Sequence, residues 1–547
     1  MSDHTNSRIK QDEESAKDMK MNADVRDRKK NPCKEEIKLQ EGEDINDLII
    51  KPDCLKTVKD NYKHLLILSL EFGFLFMLCF YDFYKNLNGI VYPIFVLGLF
   101  GFACVTLKVL KKSIKKNTYN YIIAAALLGI SSFLTMNWFI VWINTLGIII
   151  LFTMFLLKQF YEDDEWGIIQ YVGNIMLVWL DAIPGMRYII IHGIFQLNPS
   201  KYKDKKWIPA LKGIIYGFIF LSIVVPLLAS ADMIFQEFLE RIFTVFRNPF
   251  SGEWNYYIFL VVIAMLLFYG LVCSFVSGGL KQKNKVVKKK EPTSALVMTG
   301  VIAVTYLIFC GIQIVFLFGG NFLTLPNGIT YANYAHQGFF QLLFVVIINI
   351  GMVILCVKKV TEHSGLKKLL TIISICTFIM IASAMYRMIL YISVYHLTFL
   401  RVLVIWFLIT LTILMSGVVY FIYHNIFKIN KYIFRTVLIC YLVLAFIRPD
   451  YIIASYNISQ MKTIDSEDAC YLLSNLSYDA APALAKIDAS KFGIGENANV
   501  DFDNSEIKSY IDAYFKNIIV TYENKIRSFN VSKYVAYRNA RNYRDIN

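Results

Sequence analysis

The chain has 547 residues, of which 56% are hydrophobic, 15% aromatic and only 18% charged. An ordinary soluble core cannot bury that much apolar surface, so the composition excludes a typical soluble protein and indicates a polytopic integral membrane protein. The formal net charge of +14 does not indicate nucleic acid binding, because the lysines cluster in short loops between apolar segments. A bias of basic residues toward the cytoplasm explains such clusters.

Residues 1–60 mix acidic and basic side chains with almost no aromatic residues. Such a segment cannot bury enough apolar surface to offset the entropy of ordering, so we predict a disordered, charged cytoplasmic tail. It has no apolar stretch typical of a cleavable signal peptide, so the first hydrophobic segment should remain as an anchor.

Between residues 61 and 449, apolar runs of about 18 to 25 residues recur, the length that crosses a hydrocarbon core of about 30 Å. We predict an all-α fold, a polytopic bundle of about eleven transmembrane helices. The predicted spans lie near residues 64–81, 88–107, 118–134, 138–157, 210–230, 256–279, 294–318, 337–357, 369–390, 399–422 and 432–448.

The C-terminal region, residues 450–547, is less hydrophobic, and its apolar residues recur at helical spacing. This pattern predicts a small soluble helical domain packed on the outer face of the bundle.

Alternate loops differ sharply in their basic residues. One set of loops holds 23 lysine and arginine residues, and the other holds only Lys85, Arg241 and Arg247. Because positive charge near the ends of spans is held on the cytoplasmic side, we expect a cytoplasmic N-terminus and an extracytoplasmic C-terminus.

Residues 167–197 are apolar but are interrupted midway by Asp181, Pro184, Gly185 and Arg187. Each half is too short to span a bilayer. We therefore predict a re-entrant or interfacial hairpin on the cytoplasmic side, with a pair of tilted spans as the alternative. A single crossing would invert the orientation of every later loop.

Several motifs carry a resemblance to a known family. They are YRMILYISVYHLTFLR at 386–401, LLASADMIF at 227–235, YANYAHQGFFQL at 331–342, and RPDYIIASYN at 448–457 with YLLSNLSYDAAPAL at 471–484. The chain resembles bacterial multi-pass membrane proteins that carry DUF4173 or DUF4153 domains of unknown function. The resemblance implies a helical membrane fold in a bacterial plasma membrane, and it implies no activity.

Three positions depart from the pattern that the resemblance implies. His396 stands where we expect glycine, Arg448 stands where asparagine is more usual, and His336 stands where another basic residue is more usual.

The candidate ligand-binding residues fall at the predicted extracytoplasmic ends of the spans. A helix would place Arg387, Tyr391 and Tyr395 on one side, because they are four residues apart. They suggest a site for an anion or a lipid headgroup; alternatively, Arg387 and Arg401 snorkel to lipid phosphate while the tyrosines form an aromatic belt. The full candidate set is Asp232, Tyr331, Tyr334, His336, Arg387, Tyr391, Tyr395 and Arg401.

Other polar residues in the apolar segments have structural interpretations. Asp232 either pairs with one of the arginines or is an interfacial carboxylate or helix cap. Glu71 is the carboxylate deep in the first span, and we favour a hydrogen-bonding role over proton transfer. Hydrogen bonds between helices are the predicted role of four amides, Asn144, Gln313, Gln341 and Asn349.

No metal and no cofactor is predicted. His336 and His396 map to the same side as Asp232, but no spacing typical of metal ligands joins them. The sequence also contains no phosphate-binding loop, no nucleophile elbow and no dinucleotide fingerprint.

Three hypotheses for function follow. The preferred one is a protein that binds a lipid, an envelope precursor or a small ligand at its outer face, as a transporter or as a sensing and regulatory component. The second is a membrane-embedded enzyme that acts on lipid or envelope substrates. The third is a structural or assembly protein that binds protein partners through its N-terminal tail or its C-terminal domain. We expect the lipid bilayer, and no nucleic acid, as a partner.

Overall fold

The computed structural model describes most of the chain: residues 55–81, 88–161, 166–197, 253–277, 289–318, 339–424, 426–461, 466–487, 504–523 and 525–546, with a few positions between 217 and 238. Residues 1–54 of the predicted tail and most of the predicted span at 210–230 lie outside the described residues. The candidate residues Asp232, Tyr331, Tyr334 and His336 lie outside them as well.

Fifteen of the described helices are numbered here. They are α1 (Tyr62–Phe80), α2 (Val91–Val109), α3 (Tyr119–Leu134), α4 (Trp138–Phe160), α5 (Ile168–Gly185), α6 (Arg187–Leu197), α7 (Glu253–Val276), α8 (Pro292–Phe318), α9 (Phe339–Lys359), α10 (Ser364–Tyr395), α11 (Phe399–Tyr423), α12 (Ile429–Ile447), α13 (Pro449–Gln460), α14 (Asn504–Thr521) and α15 (Val531–Ile546). Shorter helical turns include Lys56–Asp60, Tyr471–Asn475 and Ala481–Leu484.

The predicted all-α class is confirmed, since the described residues contain helices and no β-strand. Ten helices within them are long and apolar enough to cross a membrane. Nine of the ten coincide with predicted spans, and the tenth is α5. The predicted span at 118–134 forms a shorter helix, α3, with 16 residues, or about 24 Å at the usual rise. The chain is therefore a multi-pass membrane protein.

Residues 168–197 form two helices that are separated only by Met186, which is itself in a right-handed helical conformation. The expectation that both halves are too short to span is wrong for α5, which has 18 residues. The expectation fails because Pro184 does not end the helix before it can reach the length of a span. Pro184 lies inside α5, near the last turn. The hairpin itself stays a prediction.

The chain divides into two compact units. The first consists of residues 1–83, 95–122 and 150–282, and its described helices pack around α7. Two close approaches of helix backbones build it: a side chain at Gly73 would meet the carbonyl of Val261, and one at Gly185 would meet Gly270. Small residues allow helices in membranes to approach in this way.

The second unit consists of residues 84–94, 123–149 and 283–547. Its helices α8 to α12 pack on one another, and α13 to α15 pack with the short helical turns near residue 480.

Two of the four predicted amides join helices in the second unit. Asn349 accepts from the Tyr306 hydroxyl (2.8 Å) and donates to the Thr377 hydroxyl (2.9 Å).

Asn144, on α4, is the second of these amides. It donates to Ser131 and Ser132 of α3 and accepts from the Tyr441 hydroxyl of α12 (2.7 Å). The predicted role of both asparagines in hydrogen bonding between helices is confirmed.

The helices of the second unit end in two different kinds of turn. At one end, which we name the lysine-rich end, Lys290 pairs its backbone with Lys359, and the Lys358 ammonium donates to Asn430. At the other end, which we name the motif end, lie the turns at 135–137, 396–398 and 448–450. These turns carry most of the motif residues described below.

Candidate functional site

Arg387 lies near the end of the 32-residue helix α10, where it is buried with 8% of its surface exposed. One guanidinium nitrogen, Nη2, donates to the amide oxygen of Gln313 on α8 (3.1 Å). The Ser383 hydroxyl donates to the same oxygen (2.6 Å). Gln313 therefore joins two helices, as predicted, and fixes the direction of this buried cation.

Arg401 reaches back from α11 onto the end of α10. Its guanidinium carbon lies 4.3 Å from the centre of the Tyr391 ring and 6.0 Å from that of Tyr395. Its Nη1 donates to the carbonyls of Tyr395 and His396, so it caps the last turn of α10. The structure thus brings together three of the candidate residues, with Arg387 one helical turn below Tyr391.

His396 adopts φ 61° and ψ −175°. That region of conformational space is essentially restricted to glycine, because a Cβ atom clashes with the backbone there. The turn that ends α10 therefore requires a backbone that few side chains tolerate.

Asn457, on α13, holds the next residue of this turn. Its side-chain oxygen accepts from the Leu397 N–H (2.8 Å), and its side-chain nitrogen donates to the Leu397 carbonyl (2.9 Å). The Tyr471 hydroxyl accepts from the Phe399 N–H (3.1 Å), and burial raises the pKa of this tyrosine. Tyr471 opens the π-helical turn Tyr471–Asn475, so two separate segments satisfy the backbone between α10 and α11.

Asp450 lies at the start of α13 with only 2% of its surface exposed. Its Oδ2 accepts from the Asn137 amide (2.9 Å) and from the Ser477 N–H (3.0 Å). Two residues earlier, Arg448 has a left-handed conformation with φ 55° and donates to the Leu134 carbonyl (3.1 Å). This carboxylate connects the turn at 135–137 to the turn at 448–450 and to the segment before residue 480.

Asp479 is equally buried, with 3% exposed. Its carboxylate accepts from the hydroxyls of Thr135 and Ser532 and from the Met136 N–H (3.0 Å). Burial raises the pKa of this carboxyl group, the charge of Asp450 raises it further, and the three hydrogen bonds oppose the shift. Asp479 therefore joins its own segment to two others that are far apart in the sequence.

The sequence did not identify these two carboxylates or Asn457 and Tyr471 as site residues. All four occur in the motifs at 448–457 and 471–484. The sequence feature that could have indicated them is the recurrence of polar residues just after the end of a predicted span. Among the described residues, no group of three His, Cys, Asp or Glu could hold a metal ion. Glu71 is exposed on α1.

A family model for a domain of unknown function, DUF4153, matches residues 122–487, more than half of the chain. The chain belongs to the DUF4153 family. The DUF4153 match ends at residue 487, so it includes Arg387, Arg401, Asp450, Asn457 and Asp479 but not α14 and α15. No curated protein and no solved structure matches the chain.

Proposed function

We propose that this DUF4153 protein binds an anionic group, the phosphate or carboxylate of a lipid, an envelope precursor or a small ligand, at its motif end. It would act there as a sensing or regulatory component of a bacterial plasma membrane. The observation that carries the proposal is the position of Arg401, whose guanidinium lies over Tyr391 at the end of α10, the helix that also holds the buried Arg387 one turn earlier.

Within the part of the chain that the structure describes, the contacts of Arg401 are with neutral groups. Two backbone carbonyls accept from Nη1, and two tyrosine rings lie beside the guanidinium. A cation that is partly withdrawn from water is costly unless an opposite charge lies nearby, so this arrangement favours binding of an anion. The remaining nitrogens Nε and Nη2 form a planar pair of donors, which matches the geometry of carboxylate and phosphate oxygens.

Arg387 adds a second positive charge on the same side. Tyr391 and Tyr395 follow it at intervals of four residues, so Arg387 lies about one turn, or about 5.4 Å along the helix axis, below Tyr391. Arg387 and Arg401 thus place two guanidinium groups at the same end of α10. Fixed donors and aromatic rings are the features by which proteins orient a charged headgroup.

The two ends of the second unit support the predicted orientation. Lysine-rich turns collect at one end, whereas the arginine site, the turn at 448–450 and the C-terminal helices collect at the other. Basic turns are retained in the cytoplasm, so the motif end would face the outside and the N-terminus would be cytoplasmic.

The helices favour a protein that binds its ligand without alternating access. Transporters place substrates at interrupted helices near the middle of the bilayer. The three helices that supply Gln313, Arg387 and Arg401 are α8, α10 and α11, and each runs without interruption for 25 residues or more. A fixed site at the end of unbroken helices is typical of a receptor for a headgroup.

The geometry gives less support to an enzyme. Asp450 and Asp479 are the buried carboxylates at the motif end, but their oxygens accept from backbone and side-chain donors of the protein itself. A general acid or base must reach a substrate proton. These carboxylates join segments of the fold instead.

Thermal unfolding of the purified protein in a neutral detergent tests the proposal. We expect phosphatidylglycerol to raise the unfolding temperature more than phosphatidylcholine does, because a ligand that binds only the folded state stabilises it by mass action. Arg401→Gln should abolish this difference. The matched control is Arg538→Gln, which removes an exposed arginine of α15 and should retain it. An undiminished difference in Arg401→Gln would overturn the proposal.

A further inference from the structure

Large apolar side chains are exposed in the last turn of α14 and in the connection between α14 and α15. Ile526 is 86% exposed and Val520 is 74% exposed. Burying a side chain of this kind contributes about 1.5–3 kcal/mol, so a soluble domain gains nothing from placing both at one tip. Single exposed apolar residues are common on protein surfaces. The position of this pair relative to the membrane spans is therefore what indicates a function.

The same turn is hydrogen-bonded to the start of a membrane span. The carbonyl of Phe529 accepts from the Ile90 N–H (2.9 Å), and the Asn530 amide donates to the Asn88 carbonyl (2.8 Å). Val91 is the first residue of α2, one of the helices long and apolar enough to cross a membrane. Because its backbone is hydrogen-bonded to the residue just before a span, the turn must lie at the depth where lipid headgroups begin.

Close packing holds the turn at that depth. A side chain at Gly89 would lie 2.2 Å from the carbonyl oxygen of Arg527, so only glycine permits this approach. The Phe529 ring lies 6.0 Å from the Phe133 ring in the last turn of α3. The turn is thus fixed against two helix ends, one from α2 and one from α3.

Aromatic and basic residues surround the exposed pair. Tyr522 stacks on Tyr537 at 4.1 Å between ring centres, and Phe529 lies 5.8 Å from Tyr534. The basic residues near the turn are Lys525, Arg527 and Lys533, against one carboxylate, Glu523, which pairs with Lys525 (2.9 Å). Amphipathic rings and a surplus of positive charge are typical of segments that lie in the membrane interface.

We propose that the end of α14 and the turn after it, residues 520–523 and 525–529, insert into the lipid headgroup region, with Ile526 and Val520 in contact with lipid. The C-terminal helical pair is then a membrane-contacting element and not only a soluble domain. The partner is the bilayer that surrounds the protein, and the positive charge around the turn complements lipid phosphate.

Photo-crosslinking of the full-length protein in its native membrane tests this inference. Benzoylphenylalanine would replace Ile526 in one variant and Val520 in another, and intact-mass measurement would identify what becomes attached after illumination. The control position is Tyr510, which is also exposed and lies ten residues before Val520, about 15 Å along α14.

We expect lipid adducts at residues 526 and 520, in a yield several-fold higher than at residue 510. Equal lipid yields at all three positions would overturn the inference, because the turn would then have no special contact with the bilayer. Adducts of a protein in place of lipid at residue 526 would overturn it as well, since a protein partner would then cover the apolar pair.

Discussion

At the scale of single residues, two departures from the family pattern coincide with unusual backbone conformations. His396 stands where the resemblance leads us to expect glycine, and it has φ 61° and ψ −175°. Arg448 stands where asparagine is more usual, and it has the left-handed values φ 55° and ψ 72°. Glycine suits the first conformation and asparagine the second. Backbone geometry therefore explains the expected residues at both positions without any chemical role.

Replacing His396 by glycine should stabilise the protein. A side chain in this region costs about 1–3 kcal/mol, and the greater freedom of glycine in the unfolded chain offsets about 1 kcal/mol of that gain. We expect the free energy of unfolding in detergent to rise by about 1 kcal/mol. His424→Gly is the control; its φ of −122° needs no glycine, so this variant should lose stability. A loss of stability in His396→Gly would instead assign the imidazole a structural role.

Asp479 should make stability depend on pH in a defined direction. Its folded-state pKa is raised above the usual value of 3.8, mainly by burial, so the folded protein binds this proton more tightly than the unfolded chain does. The contribution to stability is therefore largest at low pH and declines as pH rises from about 4 through the raised pKa. Asp479→Asn should flatten this decline when unfolding is measured across that range. An unchanged pH profile in the variant would contradict the assignment.

At the scale of elements, the lengths of apolar runs predicted nine helices that the structure confirms as long and apolar enough to cross a membrane. The sequence misjudged α5, because Asp181 and Pro184 look like the ends of a span when only local pattern is available. The sequence also could not show which of the motif turns contact one another. Thr135 and Asp479 are 344 residues apart, and no periodicity within either segment indicates the other.

Part of the candidate site could be predicted from the sequence because it depends only on local helix geometry. The spacing of Arg387, Tyr391 and Tyr395 within one helix predicts that they share a face, which local geometry alone determines. The stacking of Arg401 on Tyr391 depends on how the chain reverses at residues 396–398. That reversal depends in turn on Asn457, from a helix about 60 residues later.

Removing the Asn457 side chain should destabilise the turn between α10 and α11. Asn457→Ala leaves the N–H and the carbonyl of Leu397 without partners in a buried place, at a cost of about 1–3 kcal/mol for each group. We expect the free energy of unfolding to fall by about 2–4 kcal/mol and the affinity for phosphatidylglycerol to fall with it, since Arg401 caps the same turn. Asn517→Ala, at an exposed position of α14, should change neither quantity. Full stability in Asn457→Ala would contradict the role given to this amide.

At the scale of the whole molecule, the orientation depends on how often residues 167–197 cross the bilayer. Fusions of a compartment-specific reporter after Lys115 and after Glu362 test this directly, because the two positions flank the segment. We expect both reporters to be cytoplasmic, and a third reporter after Ile546 to be extracytoplasmic. Opposite results at residues 115 and 362 would show a single crossing, and the orientation proposed for the motif end would then be wrong.

At the same scale, the proposed function depends on an anion site that we propose for the second unit, with Arg387 and Arg401 at the end opposite the lysine-rich turns. Native mass spectrometry of the protein purified from its own membranes measures directly what this site holds. We predict that the wild-type protein retains an acidic lipid or another acidic ligand, and that Arg401→Gln loses it while Arg538→Gln retains it. Identical ligand profiles for the wild-type protein and Arg401→Gln, or retention of neutral molecules only, would contradict the account.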